Sequence, residues 1–597
     1  MARENSAVLK ENNENLVDRR IGNYHPNVWE DDFLQSLSSP YEASSYREKV
    51  ESLIEEIKEK ALNPLFGDGE KWPSPYDLLE RFFLVDSVQR LGIHRYSEKE
   101  IEAILDYTYK HWNDESGISW GSKNSIADLN TTALGFRVLR LNGYHVSQEV
   151  FKIFCDGNGQ FVLRPPSEEG DNQLRSVLSL YRAAEISFPG ETIMEQAKSF
   201  ASRYLEQTLA ESHNIREKSQ LLTEVEYFKN TSWRSRNPRW EAWNSIQIFR
   251  RDIDSWMSIE GVYRMSNEIC KNILEAAILD FNILQAQHQN ELKIISKWWT
   301  ESSVKEFNFF RHRHVEYYLG YACGLYEFEF SLTRVGYAKL GVMVTLIDDI
   351  FDTYGTIDEL VHFKTALINW DMSMVGHLPQ YMQICWQFLH ETYMELADEV
   401  EKIHGPHAHK WMQDYWMNLI MAEFQDEEWI ANDYHPTLDE YLKNAVDSSV
   451  VPVVTLFPIL LIDMVLPNDI LKRVSKFEYD VAMACRLIDD CKDFQEQKSQ
   501  VRNDSWLDCY IRDNPGTTKE QALEYGETHI ELHMQEVTRD YLCYEKYIPT
   551  CCKRVHFDCM YRWVAFIWRE VDGFSTSLKG IKDDIMKILI NPITIYP

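Results

Sequence analysis

The stretch from Leu340 to Thr356 constrains this chain more than any other. Leu340 to Leu346 carries no charge. It is apolar on every side rather than along one stripe, which predicts a helix buried all round. It runs into Asp348, Asp349 and Asp352. On a regular helix Asp348 and Asp352 share a face, and Asp349 lies about 100° round. Carboxylates beside an apolar helix are costly unless a cation meets them, and no lysine lies between Leu340 and Thr356. Oxygen ligands at i and i+4 suit Mg²⁺, which takes one or two carboxylates and completes its shell with water and phosphate. The bland alternative is a solvated acidic helix end.

A second apolar helix meets carboxylates between Asp480 and Lys498. Asp489, Asp493 and Gln497 fall at i, i+4 and i+8 on one face, with Arg486 one turn earlier and Asp490 beside them. Glu496 lies about 100° from Gln497. Two acidic clusters on apolar helices can flank one cavity and hold several Mg²⁺ ions between them. Arg311 and Arg313 stand before a further helix, where paired guanidinium groups and a helix N-terminus can hold an anion. Near the N-terminus, Arg19 and Arg20 precede Trp29. From sequence alone that pair reads first as solvated basic residues of a floppy arm; the sharper reading is bidentate contact with carboxylate or diphosphate.

Charge limits the partners. The chain has 597 residues and a formal net charge of −32, which argues against a broad nucleic-acid footprint, since that needs a basic face. An anionic substrate must then be recruited by local cations or metal ions. The 11 cysteines include no CxxC pair and read as reduced core thiols of a cytosolic protein. The spacing of Cys551, Cys552, His556 and Cys559 matches no common zinc pattern. The first 18 residues hold four acids and two bases, unlike a secretory signal or an acid-poor transit peptide. Cytoplasmic location is expected, or the plastid if a transit peptide is missing from this sequence. No run of 18 uncharged apolar residues occurs, so no membrane span is expected.

The rest of the chain reads as helices joined by short turns. Val50, Leu53, Ile54 and Ile57 form one stripe; Leu134, Val138 and Leu141 form another. A junction is expected near residue 255. A long helix follows, carrying Leu274, Ile278, Phe281, Leu284, His288, Leu292 and Ile295 on one side and ending at Trp298 and Trp299. His288 reads as a core or boundary histidine rather than a catalyst.

Taken together, these motifs resemble the plant class I terpene synthases, in a conifer-like branch. Arg19-Arg20 with Trp29 is similar to the family's RRx8W motif, Arg311 and Arg313 to its RxR pair, and Asp348, Asp349 and Asp352 to DDxxD. The run from Arg486 to Gln497 occupies the place of its second metal motif. The resemblance implies an all-α fold of two helical domains. Residues 1–41 would be an arm covering the active site, 42–255 an α-barrel-like domain, and 256–597 the catalytic bundle. It implies three Mg²⁺ ions, with Mn²⁺ as the alternative, and a monomer acting on a prenyl diphosphate. Arg311, Arg313 and Arg486 would grip the diphosphate. Asp348, Asp352, Asp489, Asp493 and Glu496 would hold metal, with Asp349, Asp490, Arg19, Arg20 and Trp29 in support. Trp298, Tyr317 and Tyr318 are candidates to stabilise a carbocation.

The second motif departs from the family pattern: Asp493 stands where the family has Ser or Thr, and Gln497 where it has Glu. Asp489 and Asp493 are therefore taken as the main ligands, Glu496 as secondary and Gln497 as weak. Farnesyl diphosphate is the expected substrate and a sesquiterpene the expected product. The alternatives are a monoterpene synthase using geranyl diphosphate, a chain-elongating prenyl transferase (two DDxxD runs), or a degenerate helical binding protein.

Overall fold

The computed structural model describes Arg19, Gly22 and residues 24–62, 75–115, 117–118, 128–163, 170–212, 219–251, 267–467, 469–495, 504–543, 548–567 and 579–595. Arg20, Glu496, Gln497 and the junction expected near residue 255 lie outside that set, as does the side chain of Asp493. Among the described residues the only strands are a two-residue antiparallel pairing, Trp112–Asn113 with Gly117–Ile118, and one isolated bridge from Cys155 to Phe161. Everything else regular is helical, as the apolar periodicity predicts.

In the N-terminal half, α1 (Ser44–Ile57) buries the predicted stripe of Val50, Leu53, Ile54 and Ile57. Helices α2 (Leu129–Leu141), α3 (Asp171–Ala184) and α4 (Thr192–Glu211) pack in succession. The C-terminal half begins with α5 (Asn267–Glu301), whose 35 residues include the predicted buried side. Helix α1 lies along α5, so the two halves share a helical interface close to the arm.

Helices α6 (His314–Gly324) and α7 (Ser331–Asp349) pack together at the centre. The bundle continues through α8 (Ile357–Asn369), α9 (Gln380–His404), α10 (Ala408–Ala431), α11 (Leu438–Ser448), α12 (Val451–Leu460) and α13 (Ile470–Gln495). Helix α7 touches α5, α6, α9 and α12, and every residue from Gly336 to Ile347 is buried. The stretch Phe328–Tyr354 is long and apolar enough to cross a membrane by composition, with a mean hydropathy of 1.2, but 78% of that window is buried within the fold. It is a core helix. The approach of α6 needs Gly341: a Cβ there would stand 2.6 Å from Cγ of Tyr317.

The α-helix predicted through Asp352 does not continue regularly. After Asp349 the chain widens into a π turn, Ile350–Tyr354, closed by the Gly355 amide donating to the Ile350 carbonyl at 2.7 Å. Such turns recur at functional sites because the extra residue re-aims side chains. Thr356 and Glu359 then form a capping box that starts α8.

Candidate active site

The three aspartates of α7 and its π turn have different surroundings. Asp349 is 1% exposed. It accepts hydrogen bonds from the Arg311 backbone amide at 2.7 Å and from Arg311 Nε at 3.0 Å. Nη2 of the same arginine lies 2.8 Å from Asp349 and also bonds Asp348. Arg311 is thus fixed by the middle aspartate while its outer end engages the first. Asp348 keeps 31% of its side chain exposed, and Asp352 is half-buried. Burial, then the charges of Asp348 and Glu427, push the Asp352 carboxyl well above the usual carboxylate range.

Helix α13 brings up the second cluster. Arg486 Nε lies 3.0 Å from Asp490, and its Nε and Nη2 donate to the Tyr441 hydroxyl at 2.9 and 2.7 Å. Asp490 is buried and also accepts from Tyr441 at 2.6 Å and from the Trp506 amide at 3.0 Å. Asp490 therefore holds Arg486 and the start of the helix Trp506–Asp513 in place. The charges of Asp489 and Asp426 also act on Arg486. This guanidinium in turn opposes the charge on Asp352, so the two predicted clusters face one region.

Three carboxylates that sequence reasoning missed lie there as well. Glu423, Asp426 and Glu427 of α10 face Asp352. Glu423 and Glu427 are buried. Burial raises Glu423 well above its ordinary range, followed by the charges of Asp348, Asp352 and Asp426. Burial pushes Asp426 up to about 6 against the pull of Arg486. A signal was present: Trp416, Ile420, Glu423 and Glu427 recur at steps of 4, 3 and 4 along one buried stripe, and acids on such a stripe are unexpected.

The described residues of the arm are bound, contrary to the reading of Arg19 as a solvated residue. Arg19 grips Glu359 with Nη1 and Nη2 at 2.8 and 2.7 Å and donates to the Tyr354 carbonyl at 3.0 Å. Its guanidinium lies 4.9 and 4.8 Å from the ring centroids of Tyr354 and Tyr381. Tyr24 shares a hydrogen bond with Thr353 at 3.2 Å, and its ring lies under Arg311. Arg313, 1% exposed, donates to the His25 carbonyl at 2.8 Å, and Trp29 Nε1 donates to Glu316 at 3.0 Å. The arm was illegible because its partners are over 280 residues away in sequence.

Of the aromatic candidates, Tyr317 shares a hydrogen bond with Thr345, and burial pushes its phenol up to about 12, so it stays neutral. Tyr318 is locked in the core, its hydroxyl 2.7 Å from both Glu291 and His288. Burial holds His288 neutral, as expected of a core histidine. Lys339 already lies 5.5 Å from the ring centroid of Trp298.

The carboxylate group fits a divalent cation by its chemistry. All its donors are hard oxygens, and Glu423 Oε1 is buried without a hydrogen-bond partner.

Known proteins carry the same organisation. Residues 300–536 match the family model described as terpene synthase family, metal binding domain, and residues 28–228 match terpene synthase, N-terminal domain. The chain is 57% identical over 590 residues to sesquiterpene synthase Cad of Chamaecyparis formosensis, covering 98% of each. It is 40% identical to a delta-selinene-like synthase, chloroplastic, of Picea sitchensis, covering 97% of this chain and 98% of that protein. Among solved structures it is similar to isoprene synthase from grey poplar leaves (Populus x canescens), determined with three Mg²⁺ ions and dimethylallyl-S-thiolodiphosphate. The TM-score is 0.77 at 26% identity, covering 95% of this chain and 99% of that one.

Proposed function

The chain belongs to the terpene synthase family, and from that premise we propose that it ionises farnesyl diphosphate with Mg²⁺ and turns the allylic cation into a sesquiterpene. It is a lyase acting on a prenyl diphosphate, and its C-terminal half carries a divalent-metal-binding domain. The observation that carries the proposal is the convergence of Asp348, Asp352, Glu423 and Arg486 on one region beside Arg311. The C15 substrate is supported by the 57% identity to a sesquiterpene synthase.

Asp348 and Asp352 would hold metal from one side, and Asp489 and Asp493, with Glu496 secondary, from the other. Bound there, the ions would neutralise the negative charge that grows on the departing diphosphate. Arg311 has a role that its geometry suggests. Asp349 keeps it fixed through the backbone amide, Nε and Nη2; were Asp348 to hold a cation, the N–H that Nη2 directs at Asp348 would be free for a diphosphate oxygen. Arg486, held by Asp490 and Tyr441, presents a second positive charge. Arg313 holds the arm, which with Tyr24 and Arg19 keeps water from the allylic cation. Tyr317 offers a neutral aromatic face, worth about 0.5–2 kcal/mol to a nearby cation.

The test is incubation of the purified chain with C10, C15 and C20 diphosphates and Mg²⁺, with hydrocarbon analysis. Preference for the C15 donor is expected. Preference for the C10 donor makes it a monoterpene synthase, and longer prenyl chains on adding isopentenyl diphosphate make it an elongating enzyme. Cytosolic location is part of the proposal, and a fluorescent fusion of the full-length protein found in plastids would refute it.

The arm has its own test. Arg19→Ala removes two bonds to Glu359, one to the Tyr354 carbonyl and one to the Tyr381 hydroxyl, so the arm should lift more often. We expect at least a tenfold loss of turnover and a larger share of water-quenched alcohols among the products. An unchanged rate and alcohol share would show that this contact does not guard the cavity.

A further inference from the structure

The wall that α6 and α7 form beside Arg311 holds two hydroxyls whose protons can be assigned. Gly341 lets the Tyr317 ring lie against α7: a Cβ there would stand 2.6 Å from Cγ and 2.8 Å from Cδ2 of that ring. The phenol then reaches Thr345, one turn further along α7, and the two hydroxyls share a hydrogen bond. Both residues are buried. Thr345 Oγ1 donates to the Gly341 carbonyl at 2.8 Å. A carbonyl oxygen can only accept, and threonine has a single hydroxyl proton. That proton goes to Gly341, so the bond between the hydroxyls uses the proton of Tyr317. The phenol donates, Thr345 accepts, and Tyr317 turns lone pairs rather than its proton to the rest of its surroundings.

The place of this pair gives its direction a consequence. Thr345 stands one turn before Asp348 on α7, and the charges of Arg311 and Asp349 act on the Tyr317 phenol, which keeps its proton. A hydroxyl beside a carbocation helps or hinders according to which end of its dipole faces the charge. We propose that Thr345 is a positioning residue for the carbocation chemistry: it locks the Tyr317 hydroxyl so that lone pairs, and not the proton, face the allylic cation. This rests on the farnesyl diphosphate reading above and gives a role to a residue outside the aspartate and arginine motifs. The Tyr317 ring attracts a nearby cation with or without Thr345. The hydrogen bond to Thr345 decides which end of the O–H dipole that cation meets. When the acceptor is removed, the phenolic proton turns toward the cation and opposes it.

The experiment uses the full chain with farnesyl diphosphate and Mg²⁺. Products are quantified per diphosphate released, and a melting curve is recorded for each variant. Thr345→Val keeps the shape of the side chain and removes the acceptor. It should change the ratio of the main product to the others by about 2–30-fold, the factor that one contact with a cation sets at a competing step. Thr345→Ser keeps the hydroxyl and should return the wild-type ratio. Tyr317→Phe should shift the ratio in the same direction as Thr345→Val. Adding Thr345→Val to Tyr317→Phe should shift it no further, because Thr345 acts only through the phenol. A wild-type ratio in Thr345→Val would overturn the proposal, since a purely structural hydroxyl lowers the melting temperature and leaves the ratio alone. An equal shift in Thr345→Ser, or a further shift in the double variant, would overturn it as well. Should Thr345→Val fail to fold, Thr345→Ala removes the same acceptor with less bulk and takes its place. A wild type that prefers the C10 donor would overturn the farnesyl reading instead, and the same ratios are then read with that donor.

Discussion

Replacing Asp348 by alanine should lower turnover by at least about 10²-fold, the scale for removing one preorganised stabiliser of transition-state charge, and leave the chain folded. The structure separates the two effects. Asp348 is part-exposed and bonds the outer nitrogen of Arg311. Without it, Arg311 still has Asp349, through its backbone amide at 2.7 Å, Nε at 3.0 Å and Nη2 at 2.8 Å. No buried arginine is orphaned, and the repulsion that Asp348 exerts on Asp352 and Glu423 disappears. The measurement is Mg²⁺-dependent diphosphate release beside a melting curve. Wild-type turnover in a folded variant would remove the aspartate-rich turn from the site.

Arg334→Leu should destabilise the catalytic domain by about 3–5 kcal/mol, the cost of leaving a buried charge without its partner. Arg334 and Glu291 are 0% and 1% exposed. They join α7 to α5 through Nε and Nη2 at 2.8 and 2.7 Å. Nη1 of the same arginine satisfies the Leu325 and Glu327 carbonyls at 2.7 and 2.6 Å, which close the turn between α6 and α7. Leucine supplies none of these bonds. Glu291 would keep only Tyr318 at 2.7 Å and Gln287 at 2.9 Å, both neutral donors. Adding Glu291→Leu should recover part of the loss, since replacing both members of a buried pair is cheaper than removing one. Urea denaturation of the two variants beside wild type reads this directly, and a midpoint unchanged in Arg334→Leu would show that the pair is not needed to hold α7. Because α7 ends in the aspartate-rich turn and α5 carries α1, this pair also sets that turn against the N-terminal half.

The apolar pattern was sufficient to place the helices. Stripes such as Val50, Leu53, Ile54 and Ile57 must face a core whatever the topology. The unbroken apolar stretch of α7 must be buried on all sides, because no single interface can cover it. Asp348, Asp349, Asp352, Arg311 and Arg313 were legible for a related reason: charges set against apolar sequence need a compensating partner. Tertiary structure decided how those charges are shared. Sequence spacing put Asp348 and Asp352 on a regular helix face, whereas the π turn after Asp349 re-aims the chain, a rearrangement that depends on packing around Gly355 and Leu360. It paired Asp349 with Arg311, and Asp490 with Arg486 and Tyr441. It also seated Arg19 on Glu359 across 340 residues. Glu423 shows the difference most clearly. Within Glu423-Phe424-Gln425-Asp426-Glu427-Glu428 the local sequence describes an acidic helix, and solvent is the default surroundings of such a helix. Only the packing of α10 against α8 and the π turn takes that carboxylate out of water and sets it facing Asp348 and Asp352. A sequence specifies which groups are charged, but the surroundings that decide what a charge does come from segments distant along the chain.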